Sequence, residues 1–173
     1  MKNVLARKPG IVFVARFLAA LIVFYVVITL DPVNDHVIVP FTELIVRTTA
    51  AILRGIHEPI VVVGTVIRTS SRFALDVRNG CNAVEAMMLL AAAMIAFPAT
   101  LRSRLAGLLV ASVAIQIVNV IRVSSLVWLG EHHRGAFDVM HVAVWQTIVI
   151  LAAVTMFVFW SLKFAEKPLQ ARR

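Results

Sequence analysis

Three side chains with reactive chemistry stand out against an otherwise apolar chain: Cys81, Arg122 and His141. Cys81 is the only cysteine, so it cannot form an internal disulfide. The Gly80-Cys81-Asn82 stretch precedes a long apolar run. A thiol at a helix start meets unpaired backbone N–H groups, which favour its thiolate form. Arg122 lies inside an apolar run, where a guanidinium is expensive to bury and usually functional. It closes a polar stripe, Ser112, Gln116, Asn119 and Arg122, whose spacings of about three and four keep it on one helix face. His141 opens the last apolar run, and Glu85 follows Cys81 by one helical turn, from where it orients His141 or pairs with Arg122. Acyl transfer by cysteine needs a thiolate, a proton carrier and a donor for the developing oxyanion. Cys81, His141 and Arg122 supply those three in that order.

The elements that must bring them together are membrane helices. The chain has 173 residues, 61% of them hydrophobic and 15% charged. Soluble domains average about 45–50% apolar and about 25% charged, which excludes an ordinary soluble domain, a disordered chain or a disulfide scaffold. Four runs suffice to cross a hydrocarbon core of about 30 Å: Ile11–Leu30, Asn82–Phe97, Leu105–Leu129 and His141–Phe164. The first lacks a small-residue cleavage site and reads as a retained anchor. The expected fold is an all-α integral membrane protein, a four-helix bundle forming one domain over residues 1–173. An outer amphipathic helix over Thr42–Arg54 and a short β-hairpin from Ile60–Ile67 and Phe73–Val77 complete it.

Charge orients the bundle. With the N-terminus inside, the inner flanks hold Lys2, Arg7, Lys8, Arg102, Arg104, Lys163, Lys167, Arg172 and Arg173 against Glu166 alone. On the outer side Arg47, Arg54, Arg68, Arg72, Arg78, Arg122 and Arg134 face Asp31, Asp35, Glu43, Glu58, Asp76, Glu85, Glu131 and Asp138. Arg16, within the first span, snorkels inward. The net charge of +8 is therefore a topology signal and does not call for nucleic acid. Both termini are expected in the cytoplasm, and the three reactive residues at the outer face.

Cys81, then Asn119-x-x-Arg122, then His141, each at the outer edge of a successive span, resembles the exosortase/archaeosortase family. The matching stretches are Asn79-Gly80-Cys81-Asn82 with Glu85, Asn119-Val120-Ile121-Arg122, and His141 followed by Val144-Trp145-Gln146. The likeness covers roughly residues 75–160 and is strongest to the short exosortase H group. Many members carry glycine where this chain has Ala83. The resemblance implies a cysteine peptidase and transpeptidase in the cell (inner) membrane that works without a cofactor or metal. Cys81, Arg122 and His141 would be catalytic, with Glu85, Asn119 and Asn82 supporting them. Its partners would be the lipid bilayer, an acceptor nucleophile, and secreted proteins ending in a short motif, a transmembrane helix and a basic tail. Two other readings compete. One is a non-catalytic membrane subunit held by an Arg122–Glu85 pair; the other is a metal or haem site built from His132, His133, Asp138, His141 and Cys81.

Overall fold

A computed structural model describes residues 9–164. The expected inner charges Lys2, Arg7, Lys8, Glu166, Lys167, Arg172 and Arg173 lie outside that range. Helix α1 spans Pro9–Ile28. After a turn, α2 (Asp31–Val33), a π-helical turn (Asn34–Ile38) and α3 (Val39–Gly55) run on as one helical stretch. Strands β1 (Val61–Val63), β2 (Val66–Arg68) and β3 (Ala74–Asp76) follow. Helices α4 (Val84–Ala96) and α5 (Leu101–His132) come next. Last are α6 (Arg134–Asp138), a second π-helical turn (Val139–Val144) and α7 (Trp145–Phe164).

Four helical stretches are long and apolar enough to cross a membrane: Gly10–Ile28, Asp31–Gly55, Leu101–His132 and Arg134–Phe164. The all-α membrane fold is as expected, but the spans differ from the sequence reading. The expected second span is the 13-residue α4, about 20 Å long and too short to cross alone. Residues 79–83 are spent on a loop, and Pro98 follows the last turn. The expected amphipathic helix is part of the 25-residue stretch Asp31–Gly55. Its charges weigh less than their number suggests, because Arg47 donates to Glu43 one turn away at 3.3 Å. The stretch packs along α5. Ile38 packs on Val84 and Met88, while Leu53 packs beside Val123, Leu126 and Val127.

Packing follows the apolar faces. α4 lies against α1, α5 and α7, and α5 also holds α3 and α7. At the end away from Cys81, Phe97 stacks edge-on against Phe157 (5.7 Å between ring centres) and Trp160 (5.9 Å). Trp160 Nε1 donates to the Ser103 carbonyl at 3.0 Å. Thr100 caps α5 by accepting the Ser103 N–H. Exposed apolar side chains such as Ile22, Leu109, Ile117 and Leu151 face outward around the bundle, as lipid requires.

The expected hairpin is a three-stranded antiparallel sheet in the order β1-β2-β3, with Val62 opposite Ile67 and Ile67 opposite Leu75. The run Ile60–Ile67, read as one strand, folds back on itself at Gly64-Thr65. Gly64 has φ +58°, a left-handed conformation that a side chain disfavours. The sheet buries Ile67, Leu75 and Val77 against α3 and α5. It is pinned to the end of α5 by Glu131, which accepts from the Ser70 and Ser71 hydroxyls, and by Phe73 over Gly130.

A methyl group at Gly130 would lie 2.2 Å from the Phe73 ring. Gly130→Ala should therefore destabilise the detergent-solubilised protein by about 1–3 kcal/mol, read as a lower thermal midpoint. Adding Phe73→Leu should restore most of the loss. An unchanged midpoint in Gly130→Ala would show that the sheet does not pack this closely on α5.

Candidate active site

The site is assembled on the loop 79–83, between the sheet and α4. Gly80 (φ +87°) and Ala83 (φ +59°) both take left-handed backbone conformations on either side of Cys81. Ala83 stands where many members of the resembled family have glycine, and it is the N-cap of α4. The Cys81 N–H is used in a turn, donating to the Arg78 carbonyl at 2.8 Å. The half-buried thiol thus projects from a fixed bend.

Side chains hold the loop from two sides. From α5, Arg122 Nη1 donates to the Gly80 carbonyl at 3.3 Å, and Gln116 Nε2 donates to the Asn82 carbonyl at 3.0 Å. The residues before and after Cys81 are therefore gripped by the same helix face. Asn82 is fully buried. Its Oδ1 accepts the Val84 N–H at 3.1 Å, and its Nδ2 donates to Thr42 Oγ1 on α3 at 3.0 Å and to Asn79 Oδ1 at 3.1 Å. Glu85 Oε1 accepts the Gly80 N–H at 2.8 Å.

Within this frame Cys81 Sγ lies 3.1 Å from His141 Nε2 and 3.9 Å from Arg122 Nη2. His141 sits in the π-helical turn Val139–Val144, with Phe137 beside its ring at 5.5 Å between centres. Such insertions re-aim a side chain within a helix and are frequent at functional sites. The three residues singled out from sequence converge. His133 does not join them; it lies against Trp128, at 5.8 Å.

Arg122 is 2% exposed, and Asn119, one turn earlier, is fully buried. Among the described residues no ion pair includes Arg122, and its Nε has no hydrogen-bond partner. Asn119 Nδ2 and Oδ1, Gln116 Oε1 and Glu85 Oε2 are also buried without partners. Glu85 neither orients His141 nor pairs with Arg122; the Gly80 N–H takes its carboxylate instead. A polar group left unpaired in this way is costly unless something arrives to meet it. Beside it, a cavity of about 280 Å³ is lined by Gly80, Glu85, Arg122, Gln146 and apolar residues of α1, α4 and α7.

The electrostatics of the thiol depart from the simplest expectation. Burial pushes the Cys81 thiol above its ordinary pKa, the Arg122 cation opposes that, and the Glu85 charge adds to it. Burial is the largest of these effects, so the resting sulfur holds its proton and needs a base to lose it. Labelling of Cys81 by iodoacetamide should accordingly rise with a midpoint above the ordinary thiol value of about 8.5. Arg122→Gln should move that midpoint higher, because a favourable charge is lost; Glu85→Gln should move it lower. Opposite shifts in a pH series on membranes would contradict this electrostatic picture.

Of the residues in the metal or haem reading, Cys81 and His141 meet while His132 turns elsewhere. His132 Nε2 lies 3.0 Å from Glu58 Oε1. Among the described residues no three His, Cys, Asp or Glu side chains come together closely enough to share a metal ion. Sequence reading placed Gln116 in the polar stripe and Asn79 in the matching stretch without giving either a role in the site, and missed Thr42. The only signal for Gln116 was its position in the stripe.

No curated protein and no solved structure matches the chain. A family model does match, over residues 4–160, a range that includes Cys81, Arg122 and His141. By that match the chain belongs to the transmembrane exosortase family, EpsH type.

Proposed function

We propose that the protein is a membrane cysteine peptidase and transpeptidase that removes C-terminal sorting signals from secreted proteins. The observation that carries this reading is the approach of Cys81 Sγ to His141 Nε2 at 3.1 Å, with the guanidinium of Arg122 at 3.9 Å. His141 takes the thiol proton as Sγ attacks the scissile carbonyl. The oxyanion that forms is stabilised by Arg122, whose Nε has no other partner. Collapse breaks the C–N bond, and the leaving amine takes the proton from His141. The thioester on Cys81 is then attacked by an acceptor nucleophile, amine or water, whose proton returns to His141 as the thiolate is released.

Asn82 and Glu85 act by fixing the loop through the Val84 and Gly80 N–H groups. Asn119, one turn before Arg122 on the same helix, offers a buried amide with both polar atoms free. The absence of an ion pair between Glu85 and Arg122 among the described residues counts against a purely structural role for the arginine. Arg102, Arg104 and Lys163 sit at the end away from Cys81, which supports a site on the non-cytoplasmic face of the inner membrane.

The test is processing of a reporter substrate. This is a secreted reporter fused to a tail from the same genome, consisting of a shared short motif, one apolar helix and a basic end. Co-expression with the wild-type enzyme should release the tail, and co-expression with Cys81→Ala should not. Equal release by both would refute the peptidase reading.

A further inference from the structure

The cavity beside Arg122 continues into the bilayer-facing side of the bundle. α1 and α7 flank α4 and meet at the end away from Cys81, where Phe13 lies 6.4 Å from Phe157 and 6.3 Å from Phe97. Nearer Cys81, Leu21 and Tyr25 of α1 and Val149 and Ile150 of α7 line the first cavity between them. A second cavity of about 230 Å³, lined by Phe13, Ala93, Val154 and Phe157, shares Leu89 and Ala153 with the first. The two form one trough along α4, about 12 Å from Glu85 to Ala93. The trough is apolar except at its mouth. There Arg122 Nε and Glu85 Oε2 are buried without partners.

We infer that this trough seats the membrane helix of the protein being cleaved, with the amino end of that helix toward Cys81. The inference rests on the peptidase reading and deepens it. An apolar trough on a lipid-facing surface takes an apolar occupant, and its mouth selects a polypeptide over an acyl chain. The first N–H groups of a helix have no acceptor within the helix, and Glu85 Oε2 is an acceptor without a donor. The scissile carbonyl, just before that helix, is the group that meets the remaining donor of Arg122. A lipid tail would satisfy neither. The small floor residues Ala86 and Ala93 let a second helix approach α4 closely. The peptide bond to be cut then leaves the helix at the level of the thiol. The other apolar cavity near the site, between α3 and α5, is lined by Leu44, Gln116 and Ile117 among others but includes neither Arg122 nor Glu85.

The experiment uses the full-length enzyme in membranes with the reporter substrate. Ala93→Phe, which fills the trough well away from Cys81, should slow processing by roughly tenfold or more while iodoacetamide labels Cys81 at the wild-type rate. Should Ala93→Phe fold poorly, disulfide trapping decides independently. In a Cys81→Ala background, Ile150→Cys should cross-link to a cysteine in the substrate helix, and Leu44→Cys should not. Wild-type processing by well-folded Ala93→Phe would overturn the inference. So would cross-linking at Leu44→Cys in place of Ile150→Cys, or pairing of Ile150→Cys only with a second copy of the enzyme. Retained processing by Cys81→Ala would instead strike the peptidase reading, leaving the cross-link to report separately on where the helix lies.

Discussion

Replacing Arg122 by lysine should lower processing of the reporter substrate by about 10²–10³-fold while the enzyme remains inserted and folded. The guanidinium serves two purposes that one ammonium cannot combine. Nη1 holds the Gly80 carbonyl at 3.3 Å while Nη2 lies 3.9 Å from the Cys81 sulfur, and the side chain lines the cavity. Lysine keeps the charge but loses the planar fork of donors, on a shorter reach. Arg122→Gln should be worse, since it loses the charge as well. If Arg122 were only structural, lysine would be largely tolerated and Glu85→Gln would be as damaging as Arg122→Gln through misfolding. Processing rates normalised to folded enzyme distinguish the two patterns. Full turnover by Arg122→Lys would remove Arg122 from the catalytic set.

The largest loss is expected at the thiol and its base. Cys81→Ser should be as inactive as Cys81→Ala, because a hydroxyl beside one imidazole in this buried setting is a far poorer nucleophile than a thiol that His141 can deprotonate. His141→Gln should lose nearly as much. The double variant Cys81→Ala with His141→Gln should be no worse than either single variant, since groups acting as a unit are strongly non-additive. Processing by His141→Gln within tenfold of wild type would mean that another group carries the proton.

The convergence of Cys81, Arg122 and His141 was legible in the sequence because Cys81 and His141 open apolar runs and Arg122 lies inside the run between them, so topology brings all three toward one end of the bundle. What held them was less legible. The grip of Gln116 on the Asn82 carbonyl and the Asn82–Thr42 hydrogen bond join residues distant in sequence, and no local pattern announces such pairs. Glu85 was placed one turn from Cys81 as though the helix began there. Because Gly80 and Ala83 are left-handed, α4 starts only at Val84, and the carboxylate turns back to the Gly80 N–H. The same loop shortens the expected second span. The sheet was half visible: two short apolar runs marked strands, but Gly64 inside one of them signalled a turn that this reading passed over. The charge state of Cys81 was read from the helix start, whereas burial, which a sequence does not display, dominates it.

The most direct test of the central claim is the mass of the enzyme caught in mid-reaction. Wild-type enzyme mixed with the reporter substrate and quenched in acid should carry a covalent adduct equal in mass to the reporter up to the cleaved bond. Peptide mapping should place it on Cys81, and hydroxylamine should release it, as a thioester requires. Cys81→Ser should show no adduct. Cleavage of the substrate with no hydroxylamine-sensitive adduct, or with an adduct on any other residue, would contradict the assignment of Cys81 as the nucleophile.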